Sequence, residues 1–170
     1  MARYLQPGTK APAFSLPVTP DQKLALSELA GRRVILTFYP ADWSPVCGDQ
    51  LALYNQILPE FRRRGAELLG ISVDGAWCHQ EFAKARNLHF PILADFHPKG
   101  AVATAYGCYM EDVGEAARAL FLIDEQGMIV WSYQSPLAVN PGADGILDAL
   151  DKMPAVESLD VDAKSARKRA

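Results

Sequence analysis

The stretch "RVILTFYPADWSPVCGDQ", residues 33–50, decides how this chain folds. An unbroken apolar run from Arg33 to Tyr39 is the pattern of a strand buried on both faces inside a sheet, and Pro40, with no N–H to give a ladder, ends it. Pro45 suits the first position of a helix, where the donor it lacks would have no partner, and Ser44 suits the N-cap before it. Cys47 then falls in the first turn of a helix that starts directly after a buried strand. Unpaired backbone N–H groups and the positive end of the helix dipole gather there, and both favour thiolate over thiol.

Working outward, "KLALSELAG" (23–31) reads as a short strand and a helical turn stopped by Gly31. Helical spacing continues from about Pro45 to Arg64, with Pro59 placed to kink or split the helix and Gly65 to cap it. A strand at "AELLGISV" (66–73), a helix from Ala76 to Arg86, a short strand at "HFPIL" (89–93) and a helix over "PKGAVATAYG" (98–107) follow. "RALFLIDEQGMIVWSYQ" (118–134) reads as an antiparallel pair turning at Glu125 to Gly127, and "GADGILDALDKM" (142–153) as a closing helix. Alternating strands and helices need crossovers while the hairpin adds antiparallel strands. The order therefore predicts an α/β fold, a central mixed β-sheet flanked by helices on both faces. Residues 1–154 form one domain in this reading. Residues 155–170, "AVESLDVDAKSARKRA", lack periodicity and are expected to form a flexible C-terminal tail.

Composition narrows the function. The 170 residues are 49% apolar and carry a formal charge of −3, which gives no reason to expect a nucleic-acid or membrane partner. No apolar run approaches the roughly 18 residues a membrane span needs. Three widely spaced cysteines are an odd number for a disulfide scaffold and suit a reducing compartment, so the chain is read as cytoplasmic. His79, His89 and His97 lack the paired short spacings of a zinc site, and no metal is expected. Arg62, Arg63 and Arg64 complement the negative pole of a helix end. Asp74 and Asp95 follow strands as turn or cap residues, Trp43 is a pocket or subunit-contact residue, and Trp131 packs within its strand.

Pro40, Ser44 and Cys47 match the Pro-x-x-x-Thr/Ser-x-x-Cys motif of the peroxiredoxins, and Arg118 in "RALFLID" stands where that family places an arginine before a strand. "GISVD", "FPILADF" and "GAVATAYG" extend the resemblance over about Gly8 to Met153. It implies a thioredoxin-like fold and reduction of hydrogen peroxide or an organic hydroperoxide, without a cofactor. Cys47 would be the peroxidatic nucleophile and pass through a sulfenic acid. Arg118 would hold thiolate and peroxide, Ser44 would hydrogen-bond the peroxide, and Pro40 would shield the sulfur. The chain looks most like the alkyl hydroperoxide reductase E type and the bacterioferritin comigratory type. Thioredoxin, glutaredoxin or a small thiol would supply electrons, and a homodimer built around the active-site edge is expected. The chain departs from the family's commoner pattern at Ser44, where threonine is usual, and at Gln50, where many members carry an acid.

What reduces the sulfenic acid stays open in the sequence. The family's common resolving position is Ala52 here, and another variant's position falls at about Ala83. Cys78 is the resolving candidate: near a helix N-terminus beside His79, it is expected to be exposed and to have a depressed pKa. An external thiol is the alternative, and Cys108 reads as a small buried residue. Two other functions compete with a peroxidase. A thioredoxin-fold disulfide oxidoreductase would need a second cysteine where Gln50 stands, and a non-catalytic holdase or binding protein would keep only the fold.

Overall fold

The computed structural model describes residues 4–156, so most of the expected tail, residues 157–170, lies outside the described residues. In chain order the elements are β1 (Ser15–Pro17), β2 (Lys23–Ala25), a 3₁₀ turn (Leu26–Leu29), β3 (Arg33–Phe38), α1 (Pro45–Gln56), α2 (Leu58–Arg63), β4 (Ala66–Ser72), α3 (Ala76–Ala85), β5 (Ile92–Ala94), α4 (Ala101–Ala105), β6 (Tyr109–Met110), β7 (Glu115–Ala116), β8 (Ala119–Ile123), β9 (Ile129–Gln134) and α5 (Asp144–Asp151). The main sheet runs β5-β4-β3-β8-β9. β3, β4 and β5 are parallel, while β8 joins β3 and β9 antiparallel. This is the mixed sheet expected from the element order.

β3 is central because it can be. All six of its residues are buried, so neither face needs water, and both edges find partners: Leu36 opposes Leu69 of β4 and Phe121 of β8. The pleat then sorts its side chains. Val34, Leu36 and Phe38 join a core with Phe121 and Tyr106, whereas Ile35 and Tyr39 face Leu51, Tyr54, Phe61, Leu120 and Ile146. Each fully buried side chain of this size contributes about 1.5–3 kcal/mol relative to exposure. Thr37, a buried polar residue of β3, alternates onto the second face.

The helix after β3 breaks at the expected place. Pro59, which cannot donate to the carbonyl of Asn55, falls in the first turn of α2, and the chain turns at Ile57. Gly65 then leaves α2 at φ +71°, a conformation that L side chains rarely adopt. Within α1, Cys47, Gln50, Leu51 and Tyr54 are buried, the i, i+3, i+4, i+7 set that lies on one helical face. That spacing aims two polar groups, Gln50 and Tyr54, at the sheet alongside the thiol. Two short pairings have no counterpart in the sequence reading, β1 with β2 and β6 with β7.

Candidate active site

Local sequence places Cys47. Ser44 takes the N-cap position with extended backbone, φ −63° and ψ 133°, its carbonyl accepts from the N–H of Gly48 at 2.8 Å, and Pro45 opens the helix. The Ser44 hydroxyl makes no capping bond and is half-buried beside the thiol's turn. Pro40 is buried at the end of β3. Between them the chain reverses through Trp43 at φ +66°, a strained value for a bulky residue. Its neighbour holds that turn: the N–H of Asp42 donates to Asp74 Oδ2 at 2.8 Å, and the Asp42 carboxylate accepts from the Tyr39 hydroxyl and lies 2.7 Å from His79 Nδ1. His79 Nε2 faces the Leu93 carbonyl at 3.1 Å. Both ring nitrogens of His79 thus lie against oxygen atoms, which fixes the ring between the β3–α1 loop and β5.

Arg118 comes from the other side of the sheet's centre, one residue before β8, and β8 pairs with β3. Cys47 is fully buried and Arg118 is 1% exposed. The guanidinium donates from Nη2 to Cys47 Sγ at 3.5 Å and from Nη1 to Gln50 Oε1 at 2.7 Å. Nε and Nη2 both donate to the Leu137 carbonyl, at 3.1 and 2.8 Å. Gln50 Nε2 donates in turn to Thr37 Oγ1 at 3.1 Å and to the Tyr54 hydroxyl at 3.3 Å, and Tyr54 donates to the Gly142 carbonyl at 2.9 Å. Pro40, Ser44, Cys47 and Arg118 are thus drawn from the end of β3, the head of α1 and the start of β8 into one region. An arginine that precedes an apolar strand reads from sequence as a surface cation; here it is buried.

Cys78 differs from expectation. It is half-buried rather than exposed, and its thiol is pushed up to about 11, the reverse of the depressed pKa expected at a helix N-terminus. Burial is the main cause, followed by the Asp42 carboxylate as hydrogen-bond partner and charge, then by Asp74. Cys78, Asp42 and Asp74 present ligand atoms within 4.8 Å of one another, but the carboxylates already accept from Tyr39, His79, Ser72 and the Asp42 N–H. Cys108 is buried, and burial pushes its thiol up as well. All three cysteines are free thiols. Asp95 caps α4, accepting from the N–H groups of Val102 and Ala103. Arg63 and Arg64 pair with Glu60, and Arg64 also with Asp151.

Sequence reasoning missed the groups that hold Arg118. Gln50 had drawn notice only as a departure, and Tyr54 and the Leu137 carbonyl not at all. The helical spacing of Gln50 and Tyr54 from Cys47 is a signal that could have found two of the three.

Fold and site together define a class: thioredoxin-like proteins with one buried thiol at the head of the helix after a central strand, facing an arginine from a neighbouring strand. Comparison with known proteins agrees. The family model described as AhpC/TSA matches residues 7–132. A thioredoxin peroxidase from Echinococcus granulosus is 34% identical over 154 residues, covering 85% of this chain and 79% of its own. Alkyl hydroperoxide reductase E from Mycobacterium tuberculosis is 37% identical over 129 residues, 74% of this chain and 82% of its own. Among solved structures, the peroxidoxin BcpB of Mycobacterium tuberculosis superposes with a TM-score of 0.82 at 27% identity, covering 89% of this chain and all of that one. The chain belongs to the AhpC/TSA family, the peroxiredoxins, enzymes that reduce hydroperoxides with a thiol. Both subtypes that the sequence resembled have members among these relatives. No described helix is long and apolar enough to cross a membrane.

Proposed function

We propose that Cys47 is the peroxidatic nucleophile of a thiol-dependent peroxidase. One observation carries this: the guanidinium of Arg118, buried and without a carboxylate partner among the described residues, donates to the Cys47 sulfur at 3.5 Å. The Cys47 thiolate attacks the terminal oxygen of ROOH. The S–O bond forms as the O–O bond breaks, the sulfur is oxidised to sulfenic acid, and the departing RO⁻ takes a proton to leave as water or alcohol. Negative charge moves from sulfur to the leaving oxygen within reach of Arg118. The guanidinium has five N–H groups, of which four donate to protein acceptors, which leaves one on Nη1 to follow that charge. The half-buried Ser44 hydroxyl, with no cap to serve, is available to the peroxide, and Pro40 keeps bulk water from the sulfur.

The sulfenic acid is resolved by Cys78 in this proposal. Cys78 lies against Asp42 and Trp43, in the loop that leads into Cys47, so unwinding of that loop and of the first turn of α1 would bring the two sulfurs together. Cys78–SH and Cys47–SOH then give a disulfide and water. A thioredoxin-type reductant, or glutaredoxin or a small thiol, would reduce that disulfide, and the three free thiols suit the cytoplasm. A homodimer is supported by three aromatic side chains in the segments that follow the parallel strands: Trp43 after β3, Trp77 after β4 and Phe96 after β5 are 51%, 72% and 60% exposed. A second copy of the chain would cover them, which sedimentation of wild type against Trp77→Lys tests.

The deciding experiment is stopped-flow oxidation of reduced protein by hydrogen peroxide, with intact mass, in wild type, Cys47→Ser, Cys78→Ser and Cys108→Ser. Rapid oxidation lost with Cys47→Ser, together with a two-hydrogen mass loss absent from Cys78→Ser, supports both assignments. Rapid oxidation that stops at a sulfenic acid or a mixed disulfide removes Cys78 from the scheme. Wild type reacting no faster than free cysteine removes Cys47.

A further inference from the structure

The Cys78 thiol is covered by the same loop that carries Cys47. Asp42 and Trp43 belong to the turn between β3 and α1, and both stand against Cys78. Asp74, on the turn before α3, completes a cluster with Asp42 and Cys78 whose ligand atoms all lie within 4.8 Å of one another. Asp42 is buried and Cys78 half-buried. A thiolate formed there would face two carboxylates at short range, which favours the protonated sulfur. Burial first, then Asp42, then Asp74 push the thiol upward.

The Asp42 carboxylate stays in place only while the turn does. It accepts from the Tyr39 hydroxyl at 2.7 Å and lies 2.7 Å from His79 Nδ1, and its own N–H donates to Asp74 Oδ2 at 2.8 Å. These ties hold the chain through Trp43, whose backbone sits at φ +66° and whose ring meets Phe82 of α3 edge-on at 5.2 Å. Cys47 follows five residues after Asp42, fully buried in the first turn of α1. A disulfide needs the two Cα atoms within about 7 Å and a clear path between the sulfurs. Cys47 therefore reaches Cys78 by displacing the residues that cover it, Asp42 and Trp43.

We propose that Asp42 makes Cys78 an oxidation-gated thiol: its carboxylate keeps Cys78 protonated while the β3–α1 loop is closed, and the unwinding that delivers the Cys47 sulfenic acid carries that carboxylate away and frees Cys78 to ionise. The proposal rests on Cys78 being the resolving cysteine assigned above. In the opened state Cys78 loses its proton to water and its thiolate attacks the Cys47 sulfur. The S–S bond forms as the S–O bond breaks, and the departing hydroxide takes up a proton, so that Cys78–SH and Cys47–SOH give a disulfide and one water. Asp74 stays beside Cys78 throughout, because it precedes α3 in the same strand–helix unit. Asp42 is the charge that moves.

The test compares two midpoints. One is that of Cys78 alkylation by iodoacetamide in reduced Cys47→Ser/Cys108→Ser protein. The other is the rising limb of the pH profile for disulfide formation in Cys108→Ser protein given one equivalent of hydrogen peroxide, followed by acid quenching and intact mass. The disulfide midpoint is expected at least about one unit below the alkylation midpoint, toward the roughly 8.5 of a free cysteine. Asp42→Asn removes the charge and can keep the bonds: its oxygen accepts from Tyr39, and its amide donates to His79 Nδ1 while Nε2–H serves the Leu93 carbonyl. It should lower the alkylation midpoint by about one unit, a roughly tenfold gain in labelling near neutral pH, and leave the disulfide midpoint where it was. A merely looser turn would change the disulfide rate by one factor at every pH and move neither midpoint. Equal midpoints in the parent, a disulfide rate without a rising limb, or an Asp42→Asn protein in which both midpoints fall together or neither moves overturns the proposal. The parent comparison decides alone if Asp42→Asn does not fold. Oxidised parent protein that never loses two hydrogens overturns the assignment of Cys78 instead, so the two failures are distinguishable.

Discussion

Cys47 and Cys78 occupy equivalent places in two successive strand–helix units. Each is the third residue of its helix, α1 or α3, and each helix starts beyond the C-terminal end of a parallel strand, β3 or β4. Both thiols therefore meet the same local field, the free N–H groups and positive dipole of a helix head. Their tertiary neighbours are opposite in sign. Cys47 faces the Arg118 guanidinium, and Cys78 faces the carboxylates of Asp42 and Asp74. The Cys78 thiol is pushed up to about 11 despite its helix. A helix N-terminus is thus a weak determinant of cysteine chemistry when burial and a full charge act against it.

Substitutions that erase or invert this contrast have graded consequences. Cys47→Ser is expected to abolish rapid peroxide reduction, measured by stopped-flow, whereas the same exchange at Cys78 leaves the first oxidation intact and changes the product. Arg118→Met removes the charge but not the thiol, and should lower the second-order rate with hydrogen peroxide about 10²–10³-fold.

On the Cys78 side, Asp42→Ala deletes the acceptor shared by Tyr39 and His79 and loosens the turn at Trp43. It should destabilise the protein by roughly 1–3 kcal/mol for each buried polar group left unsatisfied, read from urea denaturation with unchanged slope. Labelling of Cys78 by iodoacetamide in a Cys47→Ser/Cys108→Ser protein should rise about tenfold per pH unit and level off near about 11, because only the thiolate reacts. Asp74→Asn removes one repelling charge and so lowers that midpoint; labelling near neutral pH should increase by about two- to threefold. Cys108→Ala, which touches neither charge, is expected to leave the peroxide rate unchanged.

Much of the scaffold was legible in the chain. The buried strand β3, the split at Pro59, the β8–β9 hairpin and the closing helix follow from an unbroken apolar run, a missing donor, a turn and a helical period. β1, β6 and β7 were missed because two or three residues carry too little pattern to read. In the site, Cys47 was legible from its own neighbours. Arg118 was legible only through the motif's resemblance, since burial comes from the packing of β8 beside β3. Cys78 was misjudged because the carboxylates that raise its thiol arrive from the β3–α1 loop and from the end of β4, outside its own helix.

By itself the sequence determined where each cysteine sits along its secondary structure, because strand ends, caps and helix starts are set by residues a few positions apart. Only the tertiary structure decided what each cysteine faces. Charge acts through space: Arg118 reaches Cys47 from the start of β8, and Asp42 reaches Cys78 from the loop after β3, elements that only the folded sheet brings together.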